Sequence, residues 1–107
     1  MKLKSFDEVF SKDLRDPEFV REYLEAALEE NGMQSFLVAL QNAIRATEGM
    51  TKTAEIAGVG RESLYKSLSE SGNPQIATVD KILRQIGLRL SVTTLTIDSQ
   101  EIEVGNT

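Results

Sequence analysis

The side chains of this sequence that could do chemistry concentrate between Thr51 and Asn73. Arg61, Glu62, Ser63, Tyr65 and Lys66 crowd into the single stretch RESLYK, with Thr51 and Lys52 upstream of it and Asn73 downstream. Guanidinium, ammonium, carboxylate, amide and hydroxyl groups in this mixture do not make a nucleophile–base pair, a metal cluster or a phosphate loop, so an enzyme is not indicated. They do make a set of donors and acceptors that suits base edges and phosphates of double-stranded DNA. The fork of Arg61, at a first helical position, can take guanine O6 and N7 together, and Glu62 can accept from a cytosine amino group or orient Arg61. Ser63 is short enough for a phosphate or a base edge, and Lys66, one turn on from Glu62, faces the same groove. Tyr65 either reaches a phosphate with its hydroxyl or packs its ring inward beside Leu68. Thr51 and Lys52, at the start of an earlier helix, are placed for phosphate contact through hydroxyl, backbone N–H and charge. Asn73, ahead of the rigid Pro74, is a further phosphate candidate. The plain alternative for Glu62 and Lys66 is an i,i+4 surface pair worth about 0.3 kcal/mol.

The elements that must position this set are legible in MTKTAEIAGVGRESLYKSL, residues 50–68. A short helix over 51–57, a turn at Gly58-Val59-Gly60 and a second helix from 61 to about 69 form a helix-turn-helix layout. Ala54 is small where the two helices would cross. Gly58 falls just past the first helix, where a left-handed backbone is cheap only without a Cβ. Val59 and Leu64 are the apolar residues expected to pin the second helix to the core. Ser71-Gly72-Asn73-Pro74 is loop chemistry, and Pro74 forbids continuation of the helix.

Around this centre the chain reads as mainly helical. Asp16-Pro17-Glu18 is a helix start: a capping carboxylate, a proline preset for the first position and an acid at the positive end of the dipole. Phe19, Val20, Tyr23, Leu24, Ala27 and Leu28 then recur with helical period, and Asn31-Gly32 closes the helix. Glu22, Glu25, Glu29 and Glu30 form its opposite, solvated face. A second helix is expected over 33–48, with Met33, Phe36, Leu37, Leu40 and Ile44 as core residues and Gly49 at its end. A final helix over 76–86 would bury Ile76, Val79, Ile82, Leu83 and Ile86, with Gly87 as its stop. The β-branched run RLSVTTLTI predicts one or two short strands, with 101–104 returning as a hairpin or the strand pairing with another chain. Leu3, Phe6, Val9 and Phe10 are spaced like a short amphipathic turn that could dock on the body.

Length and composition set the outer bounds. The chain has 107 residues, 40 % of them hydrophobic, which fits a single domain over 1–107. Within it 16–48 holds the two N-terminal helices, 49–92 the helix-turn-helix and final helix, and 93–107 the strand and tail. No apolar run approaches the ~18 residues of a membrane span, so no membrane partner is expected, and MKLKSFDEVF turns acidic too soon for a signal peptide. Cysteine and histidine are both absent, which removes disulfides, thiol chemistry, Cys/His metal sites and histidine catalysis and permits a reducing cytoplasm. No cofactor is implied. The net charge of −5 opposes a protein coated in nucleic acid, yet Lys52, Arg61, Lys66, Lys81, Arg84 and Arg89 outnumber the acids of residues 49–92. A local basic face on an acidic body suits a reader of DNA with a small footprint.

From about residue 16 to 92 the sequence resembles the small addiction-module antidote proteins, the HigA-type antitoxins of bacterial toxin–antitoxin pairs, within the Cro/phage-repressor-like (XRE-type) helix-turn-helix superfamily. The resemblance is carried by YLEAALEENG at 23–32, GMTKTAEIAGVG at 49–60 and RESLYKSLSESGNPQIATVDKILRQIGLRLSV at 61–92. It departs at Gly60, where such proteins usually carry serine, and matches nothing diagnostic before Asp16 or after Val92. Together with the helical pattern and the β-branched run, it points to a lambda-repressor-like domain of about five helices with a short C-terminal β-strand or hairpin. It implies a cytoplasmic homodimer that binds its own operator, represses its operon and neutralises a toxin, typically a RelE-like ribonuclease. A stand-alone phage-type repressor without a toxin, and an interaction module that no longer binds DNA, are the other readings.

Overall fold

A computed structural model describes residues 16–95. Helix α1 spans Pro17–Ala46, α2 Met50–Ala57, α3 Arg61–Ser67 and α4 Ile76–Gln85. The start of α1 follows from its sequence: Asp16 is extended and its carboxylate accepts from the Glu18 N–H at 3.0 Å, with Pro17 in the first turn. The two N-terminal helices expected on either side of Asn31-Gly32 are present as the two arms of α1, joined across a kink at that place. Asn31 and Gly32 leave helical geometry (φ 75° at Gly32), but the excursion is so brief that the chain re-enters a helix at once. The five helical stretches expected thus fall into four continuous segments among the described residues.

Helix α2 is the hub, packing against α1, α3 and α4. Its entry and exit are set by glycine. Gly49 (φ 88°) donates to the Ile44 carbonyl at 2.7 Å and so closes the end of α1, beside Thr47, whose hydroxyl donates to Ala43 O at 2.8 Å. Gly58 adopts the left-handed conformation (φ 75°), and the Val59 N–H then donates to Ala54 O at 3.0 Å, satisfying carbonyls that the helix end leaves open. The core gathers Val20, Leu24, Ala27, Leu37, Leu40, Ala43, Ile44, Met50, Ala54, Ala57, Leu64, Leu68, Val79, Ile82 and Leu83. Ala54 is buried as its crossing position requires.

Several expectations drawn from periodicity fail at element ends. Val59, Met33 and Ile76 are 38 %, 60 % and 75 % exposed. Val59 follows the left-handed Gly58, so the turn swings it outward and Leu64 alone pins α3 from that pair. Met33 follows the Gly32 break, where the helical phase slips and burial begins at Leu37. Ile76 is the first residue of α4, one turn short of the body. Leu28 is also exposed, and Ile86 is half-buried.

No strand forms among the described residues. After Gly87 the chain runs irregularly to residue 95, with Leu90, Val92 and Leu95 exposed. A β-branched run needs a ladder partner, and four helices present no sheet edge. The rest of the expected strand and hairpin, from residue 96, lies outside the described residues, as does the turn around Leu3, Phe6, Val9 and Phe10. No helix among the described residues is long and apolar enough to cross a membrane.

Candidate nucleic-acid interface

Helix α3 is short and amphipathic, and its two buried leucines decide what it presents. Leu64 and Leu68 are fully buried, so Arg61, Glu62, Ser63 and Lys66 are driven to the surface, where all four are exposed. Glu62 and Lys66 form no ion pair with each other among the described residues, which leaves both heads free for other contacts. Tyr65 packs inward, as one of its two readings expects. Its ring is half-buried against the core cluster, and its outer face carries the Arg61 guanidinium, with Cζ 5.3 Å from the ring centroid.

The start of α3 lacks a side-chain cap. Gly60 occupies the cap position in extended conformation (φ −72°, ψ 156°), and the nearest foreign atom to a Cβ placed there is Ser63 Oγ at 4.0 Å. The first turn of α3 therefore starts without a side-chain acceptor from the cap residue, a positive helix end beside the cation of Arg61.

The opposite end of α3 is held tightly. From α1, the Gln41 amide donates to Leu68 O at 2.7 Å and to Tyr65 O at 3.4 Å. The Ser69 hydroxyl donates to Lys66 O at 2.7 Å. The loop then folds back so closely that a Cβ on Gly72 would lie 1.9 Å from Ser67 O. These contacts fix the orientation of α3 on the body. Sequence reading marks Gly72 as loop chemistry without this close approach and misses Gln41 altogether, because its partners lie 24 and 27 residues away.

The flanking candidates are exposed as well. Thr51 and Lys52 stand in the first turn of α2, where Lys52 Nζ is 3.1 Å from Glu48 Oε1, so part of its charge is already compensated. Asn73 is exposed in the loop before Pro74. On the other basic residues of this region, Arg84 donates to Asp80 at 2.8 Å, and Asp80 also accepts from the Leu90 N–H at 3.1 Å. The Arg84 hydrogen bond first, then the Leu90 N–H, hold the Asp80 carboxyl below its ordinary range.

Comparison with known proteins decides the family. The family model described as "Probable addiction module antidote protein" matches residues 2–94. The chain belongs to that family. An uncharacterised protein of Haemophilus influenzae is 39 % identical to this antidote-family chain over 90 residues, which cover 84 % of the chain and 90 % of the relative. No solved structure matches. Membership of an antidote family points to an antitoxin role, and it implies a toxin as partner.

Proposed function

We propose that this antidote is also a sequence-specific DNA-binding regulator, an autorepressor of its own operon, with α2, the Gly58–Gly60 turn and α3 as a lambda-repressor-like helix-turn-helix of HigA type within the XRE superfamily. One observation carries this reading. Helix α3 is locked to the body through Leu64, Leu68 and the Gln41 amide, yet turns an uncapped positive end and the side chains of Arg61, Glu62, Ser63 and Lys66 outward. A rigid helix with an outward donor–acceptor row is what major-groove reading needs, with the N-terminal residues against base edges. Thr51, Lys52 and Asn73 contact phosphates, and Tyr65 acts beside Arg61. A single such helix reads too few base pairs for a genomic site, so a homodimer on two half-sites about one helical turn apart is the working form. The exposed residues Leu90, Val92 and Leu95 beyond α4 supply part of the dimer surface. The toxin it neutralises is a small RelE-like ribonuclease, and the protein acts in the cytoplasm.

The test is selection of bound duplexes from a random-sequence pool, followed by titration of the selected and a scrambled duplex over a salt series. The selected duplex is expected to bind about 10³-fold or more tightly. Arg61→Ala should erase that preference, and Lys66→Ala should weaken binding. Equal binding of both duplexes would sink the regulator reading and leave the antidote role to protein contacts alone. Co-purification of a small basic protein with the chain tests the toxin partner separately.

A further inference from the structure

Of the four described arginines on the helices, Arg45 makes no ion pair among the described residues and the other three are held in two different ways. Arg21 lies between Glu18 and Glu25 on α1, and Arg84 is paired with Asp80 on α4. Arg61 has no carboxylate partner among the described residues and instead lies over the ring of Tyr65, one turn along α3. The difference is chemical. A carboxylate occupies the N–H donors of a guanidinium and cancels its charge, whereas a ring face attracts the cation and takes up none of the five donors. The ring itself is fixed, since Tyr65 is half-buried against the core and its carbonyl lies at the end anchored by Gln41. Gly60 next door has no side chain to cover the approach.

Resting on the DNA-reading function above, we propose that Tyr65 is a positioning residue that holds Arg61 as a preset reader of guanine. The ligand chemistry follows from the fork: a flat pair of acceptors such as guanine O6 and N7, met by a guanidinium already ordered in the free protein. Ordering before binding lowers the cost of contact at that base without adding any phosphate interaction. Tyr65 therefore contributes to discrimination and leaves general affinity unchanged.

The experiment uses the full chain with the duplex selected from the random pool and the same duplex with each G·C pair changed singly to A·T. Tyr65→Phe keeps the ring and should discriminate within twofold of the original. Tyr65→Leu keeps apolar packing and should lose about two- to fivefold of the discrimination at one G·C pair per half-site, with its binding to scrambled DNA and its salt slope unchanged. Arg61→Lys keeps the charge without the fork and should lose discrimination at the same pair, which tests the idea even if Tyr65→Leu folds poorly. In the free protein, the side-chain protons of Arg61 should show a ring-current upfield shift that Tyr65→Leu abolishes. Full discrimination by Tyr65→Leu or by Arg61→Lys overturns the proposal while leaving DNA reading intact. So does a uniform loss of affinity in both Tyr65→Phe and Tyr65→Leu with a shallower salt slope, because that marks the hydroxyl as a phosphate contact. If the unaltered protein selects no sequence, the DNA-reading function falls and this proposal with it.

Discussion

Thr53 sits at 0 % exposure in the middle of α2, and its Oγ1 is buried without a hydrogen-bond partner. Its backbone N–H already donates to Gly49 O at 3.2 Å, so the hydroxyl adds a desolvation cost with no return. An unpaired buried hydroxyl costs about 1–3 kcal/mol, and replacing it by an apolar group of the same shape recovers much of that. Valine and threonine are nearly equal in helix propensity, so backbone preference does not offset the gain. Thr53→Val should therefore stabilise the fold by about 1–2 kcal/mol. At roughly 4–8 °C per kcal/mol for a domain of this size, Tm should rise by about 4–16 °C. Thermal unfolding followed by circular dichroism, with urea unfolding to check that the slope m is unchanged, measures this. Thr53→Ser, which keeps the hydroxyl and deletes the methyl, should fall below the original by about 1 kcal/mol. A Thr53→Val protein no more stable than the original would refute the reasoning. It would mean that the hydroxyl finds an acceptor, such as Met50 O or Gly49 O one turn back.

Gly60→Ser adds the missing cap to α3 in open space and should raise Tm by a few degrees, from a gain of about 0.3–1 kcal/mol; a fall would show that the turn needs glycine itself. Gly72→Ala drives a methyl into Ser67 O and should lower stability by about 2 kcal/mol or more, seen in urea unfolding, while disturbing the end of α3 that Gln41 holds. Asp80 and Glu18 are both held below the ordinary carboxylate range, each chiefly by an arginine hydrogen bond. Folded values lower than unfolded ones mean that their contribution is complete above about pH 5 and is lost as pH falls through the folded values, below about pH 4. Tm should accordingly be level from pH 7 to 5 and drop below pH 4, and Asp80→Asn should show a shallower acid limb.

What the sequence conveyed about this fold came from residues that act on their immediate neighbours. Asp16-Pro17, Gly58 and Gly87 mark helix ends because capping, a fixed φ and left-handed backbone are local effects, and the structure places ends beside each of them. Val59, Met33 and Ile76 escape the pattern because periodicity reports which side of a helix a residue occupies, but not how a glycine turn redirects the chain or how far the body extends past a helix end. Leu64 and Leu68 could be read as the inner side of α3, and so the outward row followed. Gln41 could not, since a glutamine within a helix looks the same whether it meets water or two carbonyls from a distant helix. The strand was expected from side-chain type alone, and strand formation depends on a partner that side-chain type does not supply.

Gly87 and Pro17 touch: a Cβ on Gly87 would come within 3.0 Å of the Pro17 ring. The exit of the last helix is thus seated against the entrance of the first, and Leu24 and Leu28 of α1 share a groove with Leu83 and Leu88 at that exit. During translation the first arm of α1 leaves the ribosome well before the residues that complete its cover. Until Gly87 and Leu88 emerge, the apolar side of that arm stays open, and a chain interrupted before them keeps it open for good. A chain cut short of Gly87 and Leu88 should therefore be cleaved by a protease more readily than one that carries them, which limited proteolysis of the two would show.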